Sequence, residues 1–443
     1  MTGWPALHVL GPAVWKGRCL RIFSVLAGLV LAGLLVFGWI AWYWPIARIP
    51  VPSPNSFPQN LIAQGAALAG AGDCAVCHTA AGGKSYAGGY GLATPFGVIY
   101  TPNITPDAQT GIGDWSEAAF DRAMHEGISR DGTQLFPAFP YDHFTKITPP
   151  DLHALYAYLM TLPPVSETAT QNTVRFPFNI RYLQAGWKLL YFHAGSYQPD
   201  PSQSATWNRG AYLATGLGHC GGCHTPRNTM GAEEVRQTYH GALIDGWTAP
   251  ALTAANPSPL PWTQLDIFEY LRTGASARHG AASGPMSAVI HTGLAHLPDS
   301  DIAAMAVYFA AQNGSASATT GAPPAASETA DQQQVDADAQ LYANACASCH
   351  YGASQAPRAI RPDLSLATAL WLPDPSNFIL TVLRGAGTQD GITGVMMPGF
   401  ASAMSDDDIV RLAGYLRRSR TNLPPWPDLA QRVAALRAAS SHS

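Results

Sequence analysis

Cys74-Ala75-Val76-Cys77-His78, Cys220-Gly221-Gly222-Cys223-His224 and Cys346-Ala347-Ser348-Cys349-His350 are the stretches on which the reading of this chain turns. Six of its seven cysteines fall in these pairs, and a histidine directly follows each pair. Two thiols three positions apart on one helical turn can form thioethers with both vinyl groups of a haem, and the adjacent imidazole then lies beneath the iron. Disulfides, a thioredoxin-like redox pair and zinc are the competing uses. A redox pair has no need of the histidine, and zinc asks for four nitrogen or sulfur ligands at each site. The motifs therefore predict three covalently bound haem c groups, with His78, His224 and His350 as iron ligands.

The repetition extends outward from the motifs. Asp151-Leu152-His-Ala-Leu155-Tyr-Ala-Tyr158-Leu159 matches Asp301-Ile302-Ala-Ala-Met305-Ala-Val-Tyr308-Phe309 and Asp408-Ile409-Val-Arg-Leu412-Ala-Gly-Tyr415-Leu416. Apolar residues at i, i+3 and i+7 make an amphipathic helix, and the aspartate suits its N-terminal end. Phe120 to Gly127, Phe268 to Gly274 and Phe378 to Gly385 each read as a helix closed by a glycine cap. The expected fold is all-α: three tandem cytochrome c-type haem domains over 58–165, 205–311 and 333–425, each closing its own pocket. Residues 166–204 read as an ordered interdomain segment whose packing role is preferred over a partner- or membrane-docking one, 312–332 as a flexible Ser/Ala/Thr/Pro linker and 426–443 as a C-terminal tail.

Each iron needs a second axial ligand from later in its domain, or stays open. The aspartate of the terminal helix serves as a ruler. Met397 lies 11 residues before Asp408, and Met286 lies 15 before Asp301. Both are expected iron ligands, with Met396 the neighbouring alternative to Met397. In the first domain that window reads Phe136-Pro-Ala-Phe139-Pro-Tyr141, without methionine, and Met124 is too far away. His143, 8 residues before Asp151, is the expected ligand there, against the plainer reading of a packed histidine.

From Ile22 to Trp44 the chain runs 23 residues without a charge, long enough for a helix to cross a bilayer. Lys16, Arg18 and Arg21 precede the run and Arg48 alone follows closely. That asymmetry puts residues 1–21 in the cytoplasm and the rest outside, and Trp39, Trp42, Tyr43 and Trp44 suit an interfacial belt. A cleaved signal peptide has a shorter apolar region and a small-residue cleavage site. Cys19 reads as an inert thiol. Over the 443 residues charge is sparse, at 12%, and the net charge of −4 has no basic block. That composition excludes a nucleic-acid binder. No nucleophile–base arrangement, phosphate loop or dinucleotide fingerprint is present, so the chain is expected to have no catalytic residues of its own.

Thr94-Pro-Phe-Gly97-Val-Ile-Tyr-Thr-Pro-Asn103-Ile-Thr-Pro106, Glu126-Gly-Ile-Ser-Arg-Asp-Gly132 and the three haem motifs resemble the membrane-bound triheme cytochrome c subunits of bacterial periplasmic dehydrogenases. The likeness runs from about residue 58 to 420. That family accompanies quinoprotein alcohol dehydrogenases, flavin-dependent sugar and gluconate dehydrogenases and molybdenum hydroxylases, passing electrons to ubiquinone. The alcohol-dehydrogenase branch carries a Pro-Ala-Met-Pro-Tyr motif where this chain has Pro137-Ala-Phe139-Pro-Tyr141-Asp-His143-Phe. The variant is similar to cytochromes paired with molybdenum enzymes that hydroxylate aldehydes and N-heteroaromatic rings. The resemblance thus implies an inner-membrane, single-pass subunit with its haem domains in the periplasm. Its partners would be a molybdopterin catalytic subunit that oxidises an aldehyde and a small iron-sulfur subunit, with ubiquinone as acceptor. An alcohol or sugar dehydrogenase partner is the alternative, as is a haem protein with one open gas-binding or catalytic iron.

Overall fold

Helix α1 (Pro12–Ala41) starts ahead of the apolar run and stops at Ala41, leaving Trp42–Trp44 irregular. Its Ile22–Ala41 stretch is long and apolar enough to cross a membrane and is packed against almost nothing. The computed structural model describes residues 12–315, 337–350, 363–386 and 397–440. Most of the expected linker, Met396 and the segments 351–362 and 387–396 lie outside the described residues.

The first repeat runs through α2 (Gln59–Ala71), the motif turn α3 (Cys74–Cys77), the strands β1 (Gly91–Thr94) and β2 (Gly97–Tyr100), α4 (Glu117–Glu126), α5 (Tyr141–Phe144) and α6 (Pro149–Thr161). After α7 (Leu183–Tyr191) the order recurs. It runs α8 (Ala205–Thr215), α9 (Gly221–His224), β3 (Ala242–Ile244), β4 (Trp247–Ala249), α10 (Gln264–Thr273), β5 (Ala275–Ser276), β6 (Gly280–Ala281), α11 (Pro285–Ala288) and α12 (Asp299–Gln312). The third repeat holds α13 (Ala337–Ala345), α14 (Thr368–Trp371), α15 (Ser376–Arg384), α16 (Asp406–Arg420) and α17 (Leu429–Ser440). The chain is mostly helical, with antiparallel hairpins added to the all-α expectation: β1 pairs β2 from Gly91↔Tyr100 to Thr94↔Gly97, and β3 pairs β4 from Ala242↔Ala249 to Ile244↔Trp247.

The helix ends follow local chemistry. Ser116 and Ser204 accept from backbone N–H groups of the first turns of α4 and α8, and Thr263–Asp266 and Ser405–Asp408 form reciprocal capping boxes on α10 and α16. Asp151, Asp301 and Asp408 stand in the first turns of α6, α12 and α16, as their repeat predicts. Within each of the first two repeats the leading helix crosses the terminal helix at a glycine. A Cβ on Gly65 would overlap the carbonyl of Ala154, and one on Gly210 that of Ala304, so only glycine permits either crossing.

Packing departs from three separate pockets. Leu68, Phe120, Leu155 and Met160 of the first repeat share one core with Leu213, Ile267, Ile302 and Phe309 of the second. Arg209 on α8 reaches both terminal helices, with two bonds of 2.9 and 2.7 Å to the Asp301 carboxylate and a 3.8 Å approach to Asp151. The third repeat has its own core, including Ile379, Leu383, Ile409 and Leu412. The expected tail belongs to it: Trp426, Val433 and Leu436 are buried there, because α17 lays an apolar stripe on α15 and α16. Residues 166–204 are ordered around α7.

Candidate haem-attachment sites

The same turn opens all three motifs. The N–H of His78 donates to the Cys74 carbonyl at 2.9 Å, that of His224 to Cys220 at 3.0 Å and that of His350 to Cys346 at 2.9 Å. This winds the two thiols and the imidazole onto one helical turn, as thioether attachment requires. Burial pushes the Cys74 and Cys220 thiols up to about 12 and those of Cys77 and Cys346 to about 11. A redox-active thiol is tuned the opposite way, towards the thiolate, so these pairs are poorly placed for disulfide exchange.

The first two motif histidines are held alike. His78 Nδ1 donates to the Pro102 carbonyl and His224 Nδ1 to the Pro250 carbonyl, each at 2.7 Å. A carbonyl can only accept, so Nδ1 carries the proton and Nε2 keeps its lone pair for a metal. Burial lowers the pKa of both imidazoles, which keeps them neutral, the form that ligates iron. Pro250 follows directly on β4 and Pro102 lies two residues past β2, so the small hairpins are what carry these carbonyls over the motifs. The carbonyls of His78 and His224 accept in turn from Gly88 and Gly241, both at 2.8 Å. Thr79 and Thr225 accept from the backbone of Tyr86 at 3.2 Å and of Tyr239 at 3.1 Å. Sequence reasoning missed these supports. Their signal is a Cys-His-Thr followed by Tyr-x-Gly in both repeats, Tyr86-Ala-Gly88 and Tyr239-His-Gly241.

A cavity of about 930 Å³ runs between the second and third repeats. Cys220, Cys223 and His224 line it together with Met286, and so do Cys346, Cys349 and His350 together with Met397. Leu271, Phe309, Leu370 and Phe378 contribute to its largely apolar wall. Ala386 and Met397 exchange backbone bonds of 3.0 and 2.7 Å, which pins the latter just after the α15 cap. Paired thiols, the neutral His224 imidazole with Nε2 available, thioethers on the wall and an apolar hollow fit haem c. Bound there, the iron would alternate between ferric and ferrous states and carry one electron at a time. Asp73, also missed from sequence, lines the same cavity from the first repeat. Its Oδ1 has no hydrogen-bond partner among the described residues, and burial pushes its carboxyl up to about 8.

His143 corrects an expectation. Both ring nitrogens are engaged, Nε2 with Glu233 at 2.7 Å and Nδ1 with the Thr215 carbonyl at 2.8 Å. Its ring lies beside Gly221 of the second motif and packs edge-on to His219. No nitrogen is left for an iron opposite His78, so His143 is withdrawn as the sixth ligand. Burial opposes its charge, but the hydrogen bond and charge of Glu233, with Asp142 beside it, outweigh burial and raise its pKa. Glu233 is lowered for the reciprocal reason: burial would raise it, but His143, Arg227 and Lys146 outweigh that. Phe139 packs its ring on Phe144 at 5.3 Å.

Helical repeats built on such motifs define a haem-carrying electron-transfer protein. The family model described as Cytochrome c matches residues 62–163 and 335–420. The chain is 44% identical to a subunit of the nicotinate dehydrogenase of Pseudomonas putida over 96% of its own length and 35% of the relative's, so it spans about a third of that protein. It is 36% identical to the fructose dehydrogenase cytochrome subunit of Gluconobacter japonicus, covering 82% of this chain and 80% of the relative. It is 32% identical to the cytochrome c subunit of the quinone alcohol dehydrogenase of Gluconacetobacter polyoxogenes, over 85% and 84%. The chain belongs to the cytochrome c subunits of dehydrogenase complexes, an electron-transfer family.

Proposed function

We propose that this chain is a triheme cytochrome that takes electrons from a molybdopterin catalytic subunit, through a small iron-sulfur subunit, and delivers them to ubiquinone. Three tandem haem domains sit on the periplasmic side of the inner membrane, held by the span beginning at Ile22. His78, His224 and His350 ligate the three irons, with Met286 and Met397 completing the second and third. The observation that carries this reading is the cavity in which two motif histidines and two methionines share one apolar wall. The second and third haems then lie within one hollow, close enough for direct electron exchange. Phe139 in place of a methionine, together with the nicotinate dehydrogenase relative, supports a molybdenum partner. The substrate class is an aldehyde or an N-heteroaromatic acid such as nicotinate.

Purification of the complex from native membranes tests it. Three haems per chain, molybdenum in the preparation and reduction of a quinone analogue by an aldehyde or nicotinate are expected. Two haems per chain, or a quinoprotein or flavoprotein partner, overturn the assignment. The engagement of His143 favours a second reading for the first haem alone, an iron with an open position. Carbon monoxide titration of the reduced protein separates the two readings: one haem equivalent bound supports the open iron, and none bound excludes it.

A further inference from the structure

The segment joining the first two repeats carries an apolar surface that the electron-transfer reading leaves unused. Phe176, Tyr182, Leu183, Leu189 and Leu190 are all exposed, the last at 69%. The opposite side of α7 is fastened to the protein. Trp187 is buried and donates through Nε1 to the Met230 carbonyl at 3.0 Å. Lys188 Nζ donates to the carbonyls of Glu126 and Gly127 and to Gln134 Oε1 at 2.6, 2.8 and 2.7 Å. The outward leucines are therefore held in place and are not free to turn inward.

This surface continues that of α1. Gly186 lies against the Phe37 ring, and Tyr182 stacks on Trp42 with centroids 6.5 Å apart and planes 5° from parallel. The end of α1 is itself pinned to the first repeat. Gln134 donates to the Ala41 carbonyl at 3.2 Å, Arg122 to that of Trp44 at 2.8 Å, and Ile46 N–H to the Arg130 carbonyl at 2.8 Å. Gln134 thus ties both helices to one loop. Phe37 stands four residues before the end of the span, which at a rise of about 1.5 Å per residue is ~6 Å below it. Amphipathic helices in a bilayer interface bury their apolar face by about 5–10 Å. Any bilayer that α1 crosses must therefore reach α7.

We propose that Phe176–Leu190 is a second membrane contact, with α7 lying in the bilayer interface at the Trp44 end of the span. The inference rests on reading α1 as a membrane anchor. Its occupant is the lipid interface itself, with Trp39, Trp42 and Trp44 completing an aromatic collar around it. Two contacts on one rigid repeat fix the rotation of the haem body about the span, which a single helix leaves free. The repeats are thereby held at a set distance from the bilayer surface.

Nitroxide labels on the full haem-loaded chain test this. Leu31→Cys, Leu190→Cys and Val235→Cys are each made with Cys19→Ser, reconstituted in phosphatidylcholine–phosphatidylglycerol vesicles, and compared for collision with oxygen and with a water-soluble nickel complex. Unchanged haem absorbance checks that each variant is folded. The oxygen-to-nickel ratio at position 190 is expected to be several-fold above that at 235 and to approach that at 31. A ratio at 190 equal to that at 235, with 31 still shielded, overturns the second contact and leaves the anchor intact. Nickel access at 31 removes the anchor reading and the proposal with it. Shielding at 190 that appears only when the catalytic subunits are added assigns the surface to a protein partner and overturns the lipid assignment.

Discussion

The first two repeats and the third carry the same Cys-x-x-Cys-His turn with different degrees of independence. Repeats one and two interlock: their helices share one apolar core, Arg209 joins both terminal helices, and His143 of the first pairs with Glu233 of the second. The third builds its own core and meets the second along the β3–β4 hairpin. There Asn377 brackets Thr248 with bonds of 2.7 and 2.8 Å, and Trp247 enters the third core. Strength of attachment is therefore separate from openness between sites. The shared cavity lies across the looser boundary, between the second and third motifs, so the two sites open onto one hollow without their cores being fused.

The largest effect that can break this comparison comes from the helix crossings. Gly210→Val forces a side chain into the Ala304 carbonyl and is expected to disrupt the first and second haem environments together while sparing the third. Absorbance and magnetic signatures of the individual haems would report this. Loss of the second haem alone means the first two repeats are independent after all.

Next in size is the His143–Glu233 pair. Removing one partner of a buried charged pair typically costs about 3–5 kcal/mol. His143 is raised above its ordinary 6.5, so its contribution is full below pH 6.5 and fades as pH rises through its folded value. Glu233 is held below its ordinary 4.5, so its contribution is present above pH 4.5 and fades as pH falls through its folded value. The destabilisation by His143→Gln should accordingly be greatest between about pH 4.5 and 6.5 and shrink on either side. Thermal unfolding across that range measures it, with the spin state of the first haem unchanged. Conversion of that haem to high spin would return His143 to the iron.

The smallest change sharpens the other boundary. Asn377→Ala removes both bonds to the Thr248 backbone and should lower stability by about 1–3 kcal/mol. The loss should appear in the third repeat's unfolding, with the first two repeats unaffected. A single cooperative transition shifted as a whole would show the boundary to be as tight as the first.

The attachment chemistry was legible from the chain because it is local: two thiols and an imidazole within one turn need no distant partner. Helix starts at Asp151, Asp301 and Asp408 and the glycine ends at Gly127 and Gly274 were legible for the same reason, since caps act within four residues. What holds the imidazoles was not, because the carbonyls of Pro102 and Pro250 lie 24 and 26 residues away and arrive by way of hairpins. Spacing from Asp151 placed His143 within plausible reach of the first iron, but Glu233, 90 residues on, decides where the ring turns. The fused core, the capture of α17 by the third repeat and the alignment of α7 beside α1 likewise depend on which apolar faces meet. Composition and periodicity determine that such faces exist. Only the tertiary structure selects their partners, because burial stabilises any apolar contact and geometry alone decides among them.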